Sequence, residues 1–175
     1  VKKLVDRNTE SGFYDPELVT KYSDDEWEKI NTFIKHDRDE NLTYVAMEQL
    51  RGKYLCQNRV SGEIFETPQM CYILIAASLF QDYPVSSRLQ WVKDYYDAIS
   101  LHDISLPTPV MAGVRTPQRQ FSSCVLIRSD DDLDSIFASG EMMAKYASKR
   151  AGIGLEIGRL RPLGSPIRGG EIMHT

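Results

Sequence analysis

Three groups of residues in this 175-residue chain are of types that do chemistry. Cys124 stands in the run Ser122-Ser123-Cys124-Val125, where a thiol could act as a nucleophile or a redox group. An acidic run, Asp130-Asp131-Asp132-Leu133-Asp134, follows closely. Arg150-Ala151-Gly152-Ile153-Gly154, then Gly158-Arg159-Leu160-Arg161 and Arg168-Gly169-Gly170, combine glycines with four arginines. Glycine lets backbone amides come close to a phosphate, and arginine grips one in a two-pronged fork.

Each group also has a plainer reading. A lone cysteine in a β-rich stretch is most often a small buried residue. Neither His36, His102 nor His174 lies near Cys124 in sequence to serve as its base. Cys56 and Cys71 are expected in the core. The acidic run lacks the alternating Asp/Asn spacing and closing Glu of a calcium loop, so no metal site is expected. A helix start, where the positive end of the dipole favours carboxylates, accounts for it. A carboxylate there could equally hold a ribose hydroxyl. The glycine–arginine segment has no Gly-Lys-Ser/Thr, and Ile157 breaks the dinucleotide fingerprint after Gly152 and Gly154. Residue types alone therefore leave two readings open, a nucleotide-binding α/β segment and a flexible basic loop.

The elements that position these residues can be read from periodicity. Ser23-Asp24-Asp25-Glu26 is a capping box leading into Trp27, Ile30, Phe33 and Ile34 at helical spacing. Residues 42–54 predict a second helix, with Val45, Ala46, Leu50 and Leu55 on one face. Residues 57–65 predict a hairpin turning at Ser61-Gly62. Pro68 suits the first turn of the apolar helix over residues 70–80. Residues 88–99 predict another, with Leu89, Val92, Tyr96 and Ile99 buried. Pro107, Pro109, Gly113 and Pro117 then mark a linker or domain-edge loop. Beyond it come a strand over 121–127, a helix over 133–150 and a strand over 153–157, a βαβ unit with a parallel return. Leu133, Ile136, Phe137, Met143, Ala144 and Ala147 are expected to face inward. Gly164 to Gly170 reads as mid-loop, and with a start at Val1 this suggests an internal fragment.

Composition bounds the function. With 42% hydrophobic and 26% charged residues the chain is not disordered on average and can bury a core. No apolar run is long enough to span a membrane and no apolar leader opens the chain, so the protein is expected to be cytoplasmic, with its three cysteines reduced. Residues 1–40 carry seven Lys/Arg against eleven Asp/Glu, which argues against general nucleic-acid binding. Residues 145–175 carry six against two, favouring a local anionic partner such as a phosphate.

Several irregular stretches carry a resemblance. Ile104-Ser105-Leu106-Pro107-Thr108-Pro109 and Gly113-Val114-Arg115-Thr116-Pro117, followed by Gln120-Phe121-Ser122-Ser123-Cys124, closely resemble the large (alpha, catalytic) subunit of class I ribonucleotide reductase. So do Leu133-Asp134-Ser135-Ile136, Lys149 to Gly154, Gly158 to Arg161 and Gly164 to Glu171. Upstream, His36-Asp37-Arg38-Asp39, Gly52-Lys53-Tyr54-Leu55 and Thr67-Pro68-Gln69 resemble its helical region. The likeness covers essentially the whole chain and is greatest to the aerobic bacterial and phage type.

The resemblance implies an α+β fragment. Residues 1–118 would be part of a helical N-terminal domain, and 119–175 the first β-α-β unit of a ten-stranded α/β barrel. The family reduces ribonucleoside diphosphates to 2′-deoxyribonucleoside diphosphates by thiyl-radical chemistry, with a redox-active cysteine pair and allosteric dNTP control. Cys124 matches one of the pair. Thr108, Ser123, Ala151 and Gly152 match substrate-binding positions. Asp131, Leu133, Arg161 and Ile167 match effector-binding positions for a dNTP or ATP carried with Mg2+. The helix over 133–150 would lie at the interface of an alpha homodimer. A metal-containing small (beta) subunit would supply the radical, and thioredoxin or glutaredoxin the electrons through a C-terminal tail. No cofactor of the segment itself is implied.

This sequence departs from the family's pattern in what it omits. The second reducing cysteine, the radical cysteine with its Asn and Glu partners, the tyrosine relay and the cysteine tail are absent from these residues, and the ATP cone would precede Val1. Asp132 stands where Ser is common. The chain alone is therefore expected to be inactive. The alternative reading is a non-catalytic nucleotide-binding or dimerisation module, a split-gene half or pseudoenzyme. A cobalamin-dependent or anaerobic relative sharing the barrel is a third, which the Phe121-Ser122-Ser123-Cys124 setting and the long helical front disfavour.

Overall fold

A computed structural model describes residues 1–174, which fall into two compact units, Val1–Phe121 and a second beginning at Ser122. The first is helical: α1 (Lys2–Glu10), α2 (Glu17–Lys21), α3 (Asp24–Phe33), α4 (Tyr44–Gln49), α5 (Pro68–Phe80), α6 (Val85–Ser100) and α7 (Thr108–Gly113). The centre is α5, apolar on every side and buried without a break from Cys71 to Ala77. A helix with no polar face must be surrounded. Val5, Leu18, Trp27, Ile30, Leu50, Val92, Tyr96 and Ile99 complete the core around it. Each fully buried Leu, Ile or Val there stabilises the fold by roughly 1.5–3 kcal/mol.

The capping box at Ser23 forms as expected: the Ser23 hydroxyl accepts from the Glu26 N–H, and the Glu26 carboxylate accepts from the Ser23 N–H. The same carboxylate takes a two-pronged grip from Arg88, at 2.7 and 2.6 Å, joining the start of α3 to α6. Hydrogen bonding from Arg88 holds the Glu26 carboxyl below its ordinary pKa. Thr67 caps α5, with Pro68 in its first turn. The hairpin over 57–65 also forms, with Gln57 bridging Ile64 and Gly62 at φ 76°.

Two expectations for this unit change. The helix over 42–54 is α4 followed by a π turn over Leu50–Tyr54, in which Leu55 N–H donates to Leu50 C=O. The wider turn rotates Leu50 and Leu55 into the core and leaves Val45 67% exposed. The prolines at 107 and 109 do not open a linker. They start α7, where the missing proline N–H costs nothing, and the chain stays packed through the buried Val114, Arg115 and Thr116.

Arg115 is fully buried and pairs with the equally buried Glu66. Its guanidinium also donates to Met111 C=O at 2.7 Å and Tyr54 C=O at 2.8 Å. Glu66 accepts further from Tyr14 Oη at 2.5 Å and Cys56 N–H at 2.7 Å. Every prong is used, which is the condition under which a buried ion pair is tolerated.

The second unit begins with β1 (Cys124–Arg128), α8 (Leu133–Ala147) and β2 (Gly152–Glu156). The strands pair in parallel, with Cys124 beside Gly152 and Arg128 beside Glu156, the expected βαβ return. A two-residue antiparallel pair, β3 (Pro166–Ile167) and β4 (Ile172–Met173), follows. The Gly164 to Gly170 stretch is thus a tight hairpin rather than open loop, its turn made by positive φ at Arg168, Gly169 and Gly170. No helix among the described residues is long and apolar enough to cross a membrane.

The inward face expected for α8 is overturned. Leu133 is 71% and Phe137 74% exposed, and Ile136, Ala144 and Ala147 are exposed with them, while Met143 is half-buried. The packed face is Ser135, Ser139, Met143 and Tyr146 at helical spacing, with Ser139 buried. Small side chains let the helix lie close on its strands, which frees the apolar stripe for another surface. The helix also stops at Ala147, before Arg150 enters the left-handed region at φ 69°.

Glu66→Ala would leave Arg115 charged and unpaired in the core. It should lower unfolding free energy by roughly 3–5 kcal/mol in urea titration. A loss below about 1 kcal/mol, the worth of an exposed pair, would contradict this account of the clamp.

Candidate functional site

Register pairing gathers one set of candidate residues at the start of the two strands. Cys124 and Gly152 are direct neighbours, and the Gly152 N–H donates to Ser123 C=O at 2.8 Å. Ala151 precedes Gly152, so Ser123, Cys124, Ala151 and Gly152 form one patch. Strand alternation puts Val125 and the buried Ile127 on the face that α8 covers. Cys124, Leu126 and Arg128 lie on the other face, and Cys124 is exposed. A Cβ added to Gly154 would come 2.8 Å from Leu126 Cδ2, which places those two side by side on that same face. At Gly152 an added Cβ would meet only Ser123 C=O, at 3.6 Å. This glycine therefore keeps space open beside the thiol rather than relieving a clash.

The second set assembles at the other end of the strands, about 13 Å away for four residue steps of ~3.3 Å. The loop after β1 carries the acidic run and the loop after β2 carries the arginines. Arg161 Nε donates to Asp131 Oδ2 at 2.7 Å, and its Nη2 to Asp131 C=O at 3.3 Å. Arg159 pairs with Asp130 at 2.8 Å. Asp132 caps α8 by accepting from the Ser135 N–H, and the Ser135 hydroxyl accepts from the Asp130 N–H, both at 2.8 Å. Partial desolvation pushes the Asp131 carboxyl up, but hydrogen bonds from the Arg161 backbone and side chain outweigh it and hold the pKa below its ordinary value. Ile167 joins this end because the neighbouring Pro166 C=O faces Arg161 Nη1 at 3.5 Å. Leu133 stands exposed at the first turn of α8.

Chemically the strand start offers an accessible thiol beside bare backbone. The strand end offers a carboxylate that can accept from a hydroxyl, in contact with a guanidinium that can donate to a phosphate. Asp130, Asp131 and Asp132 are committed to Arg159, Arg161 and the helix cap. Among the described residues no group of three or more His, Cys, Asp or Glu could hold a metal.

Thr108, the remaining candidate, belongs to the helical unit, where it opens α7. Its hydroxyl lies 3.3 Å from Tyr54 Oη. Sequence reading missed Arg115 and Tyr54 as the groups that hold this helix. A charged residue in an otherwise apolar turn, Met111 to Val114, was the available signal. The other two thiols are buried where Cys124 is exposed, and burial pushes Cys56 up to about 12 and raises Cys71 as well.

Comparison with known proteins fits this division. Residues 40–119 match the family model of the ribonucleotide reductase all-alpha domain, and residues 122–175 match the ribonucleotide reductase barrel domain. The chain is 59% identical over 166 residues to ribonucleoside-diphosphate reductase 1 subunit alpha of Escherichia coli strain K12, covering 95% of this chain and 22% of that protein. It is 56% identical over its full 175 residues to the subunit alpha of Haemophilus influenzae, 23% of that protein. To the subunit alpha of Enterobacteria phage T4 it is 49% identical, covering 94% of this chain and 22% of that protein. The chain thus spans about a fifth of the length of the curated relatives it matches.

Accessibility predicts an order of reactivity, and the raised pKa of the two buried thiols reinforces it. With iodoacetamide at neutral pH, peptide mapping of the native chain should find Cys124 labelled first, and Cys56 and Cys71 only after denaturant is added. Equal labelling of all three would contradict the burial pattern.

Proposed function

From the premise that the chain belongs to the ribonucleotide reductase large-subunit family, we propose that it acts as a segment of a class I ribonucleoside-diphosphate reductase alpha subunit. In that reading residues 1–118 are part of the helical domain and 119–175 open the catalytic barrel. The longer protein converts a ribonucleoside diphosphate to its 2′-deoxy form. Two thiols become a disulfide and give two electrons and two protons; the 2′-hydroxyl leaves as water and hydrogen takes its place. Cys124 is one of those thiols, its partner lying elsewhere in the longer protein. Ser123, Ala151 and Gly152 hold the substrate beside it, and Thr108 of the helical unit is read as a substrate-binding position on its match to the family pattern.

The observation that carries this reading is the placement of Cys124 beside Gly152 on the strand face that α8 leaves uncovered. A sugar ring needs both an exposed sulfur and a neighbour without a side chain.

Asp131, Leu133, Arg161 and Ile167 form the effector site in the same reading. Asp131 accepts from the deoxyribose hydroxyl, and Arg161 turns from its carboxylate partner to the triphosphate of a dNTP or ATP. A magnesium ion carried with the triphosphate would be held by its phosphates. The exposed apolar stripe of α8, Leu133, Phe137, Ala144 and Ala147, packs against a second alpha subunit. Effector and dimer contact then bias one element, the arrangement allostery requires. A metal-containing small subunit supplies the radical, and thioredoxin or glutaredoxin renews the thiols through a C-terminal tail. The cytoplasm, with its reduced thiols, is the compartment for this chemistry.

Two substitutions in the full-length alpha subunit test these roles. Cys124→Ser should abolish multiple turnover with dithiol reductants while dNTP binding is kept; sustained turnover would remove Cys124 from the redox pair. Arg161→Ala should weaken dNTP binding by roughly 1.5–3 kcal/mol, the range for a charged hydrogen bond. An unchanged titration would remove it from the effector site.

A further inference from the structure

We propose that Tyr54 is a positioning residue for the substrate's diphosphate, acting through Thr108. The proposal rests on reading Thr108 as a substrate-binding hydroxyl. Tyr54 closes the π turn and Thr108 opens α7, far apart in sequence, yet their hydroxyl oxygens lie 3.3 Å from each other.

Either hydroxyl could donate; Tyr54 is taken as donor and Thr108 Oγ1 as acceptor, the sense favoured because a phenol is a stronger acid than an aliphatic alcohol. The Thr108 proton is then turned outward to donate to a phosphate oxygen. A chain of donors polarises each link, strengthening the outer one. The 3.3 Å separation is longer than the usual hydroxyl pair, and contacts of this kind shorten once a ligand loads the outer end.

The frame around the pair is fastened from a single buried charge. One buried guanidinium, Arg115, donates both to the Tyr54 carbonyl at 2.8 Å and to the Met111 carbonyl of α7 at 2.7 Å. Glu66 fixes that guanidinium from the other side. The backbone carrying the phenol and the helix carrying Thr108 are therefore fastened to the same charge. Losing the phenol oxygen leaves Thr108 in place but free to rotate its hydroxyl into unproductive directions.

The test uses the full-length alpha subunit with its small subunit and a ribonucleoside diphosphate, comparing Tyr54→Phe, Thr108→Val and the double variant. Effector binding and thermal unfolding serve as controls for folding. Tyr54→Phe should raise KM about three- to tenfold, as for one hydrogen bond, with a smaller change in kcat. In the Thr108→Val background it should add nothing. If Thr108→Val raises KM but Tyr54→Phe does not, or if the two effects multiply, the positioning role is overturned and Thr108 keeps its assignment. If Thr108→Val itself leaves KM unchanged, the reading of Thr108 falls, and the inference with it. Should Tyr54→Phe lower stability, Thr108→Ser serves in its place. It keeps the hydroxyl and should hold KM within about twofold, whereas a rise like that of Thr108→Val would show that the hydroxyl contact is not what matters.

Discussion

Five residue pairs of a parallel ladder fix where the candidate residues of β1, β2 and the loops that leave them lie. Because Cys124 is opposite Gly152, Arg128 must be opposite Glu156, and the loops that leave the two strands must emerge side by side. One end of the ladder then collects a thiol, a hydroxyl-bearing neighbour and a glycine. The other end collects aspartates from one loop and arginines from the next. A shift of one residue would turn Cys124 under α8 and present Val125 in its place. The register is held by the buried Ile127 and by Ser129, whose N–H continues the ladder to Glu156 C=O at 3.1 Å.

Helix α8 ties the two ends together. Its N-cap, Asp132, adjoins the residue that grips Arg161, and its last turn leads through Arg150 into Ala151 and Gly152. In the proposed reading, a ligand that draws Arg161 from Asp131 would act on the helix start, and a displacement of the helix would be felt where β2 begins. In the same reading, the exposed apolar stripe would give a second subunit a hold on that element. In the helical unit the corresponding constraint is the Arg115–Glu66 pair, which costs desolvation but fastens the π turn, α7 and Tyr14 to one point.

Much of this was legible in the residues. The capping box at Ser23, Pro68 in the first turn of α5, the turn at Gly62 and the parallel βαβ return all follow from local chemistry. Local rules failed where a choice belonged to tertiary structure. Apolar periodicity in 133–147 identified the helix but not which way it faces, because periodicity registers a stripe and not its partner. The small serines at 135 and 139 were the signal for the packed side. Val45 was misplaced because a π turn changes the phase of a helix, and nothing in Leu50–Tyr54 announces one. The prolines near 107 read as punctuation, although Pro is equally at home in a first helical turn. The pairing of Asp131 with Arg161 lay beyond local reading altogether, since it depends on the ladder register. Resemblance pointed to both residues, and the fold brings them into hydrogen-bond contact.

The account stands or falls on where the electrons for reduction come from. Pre-reduced full-length alpha subunit should be given one round of substrate, effector and small subunit without external reductant, then alkylated and mapped by mass spectrometry. The account predicts that Cys124 is recovered in an intramolecular disulfide in proportion to deoxynucleotide formed. Product formation with Cys124 recovered as the alkylated free thiol would contradict it.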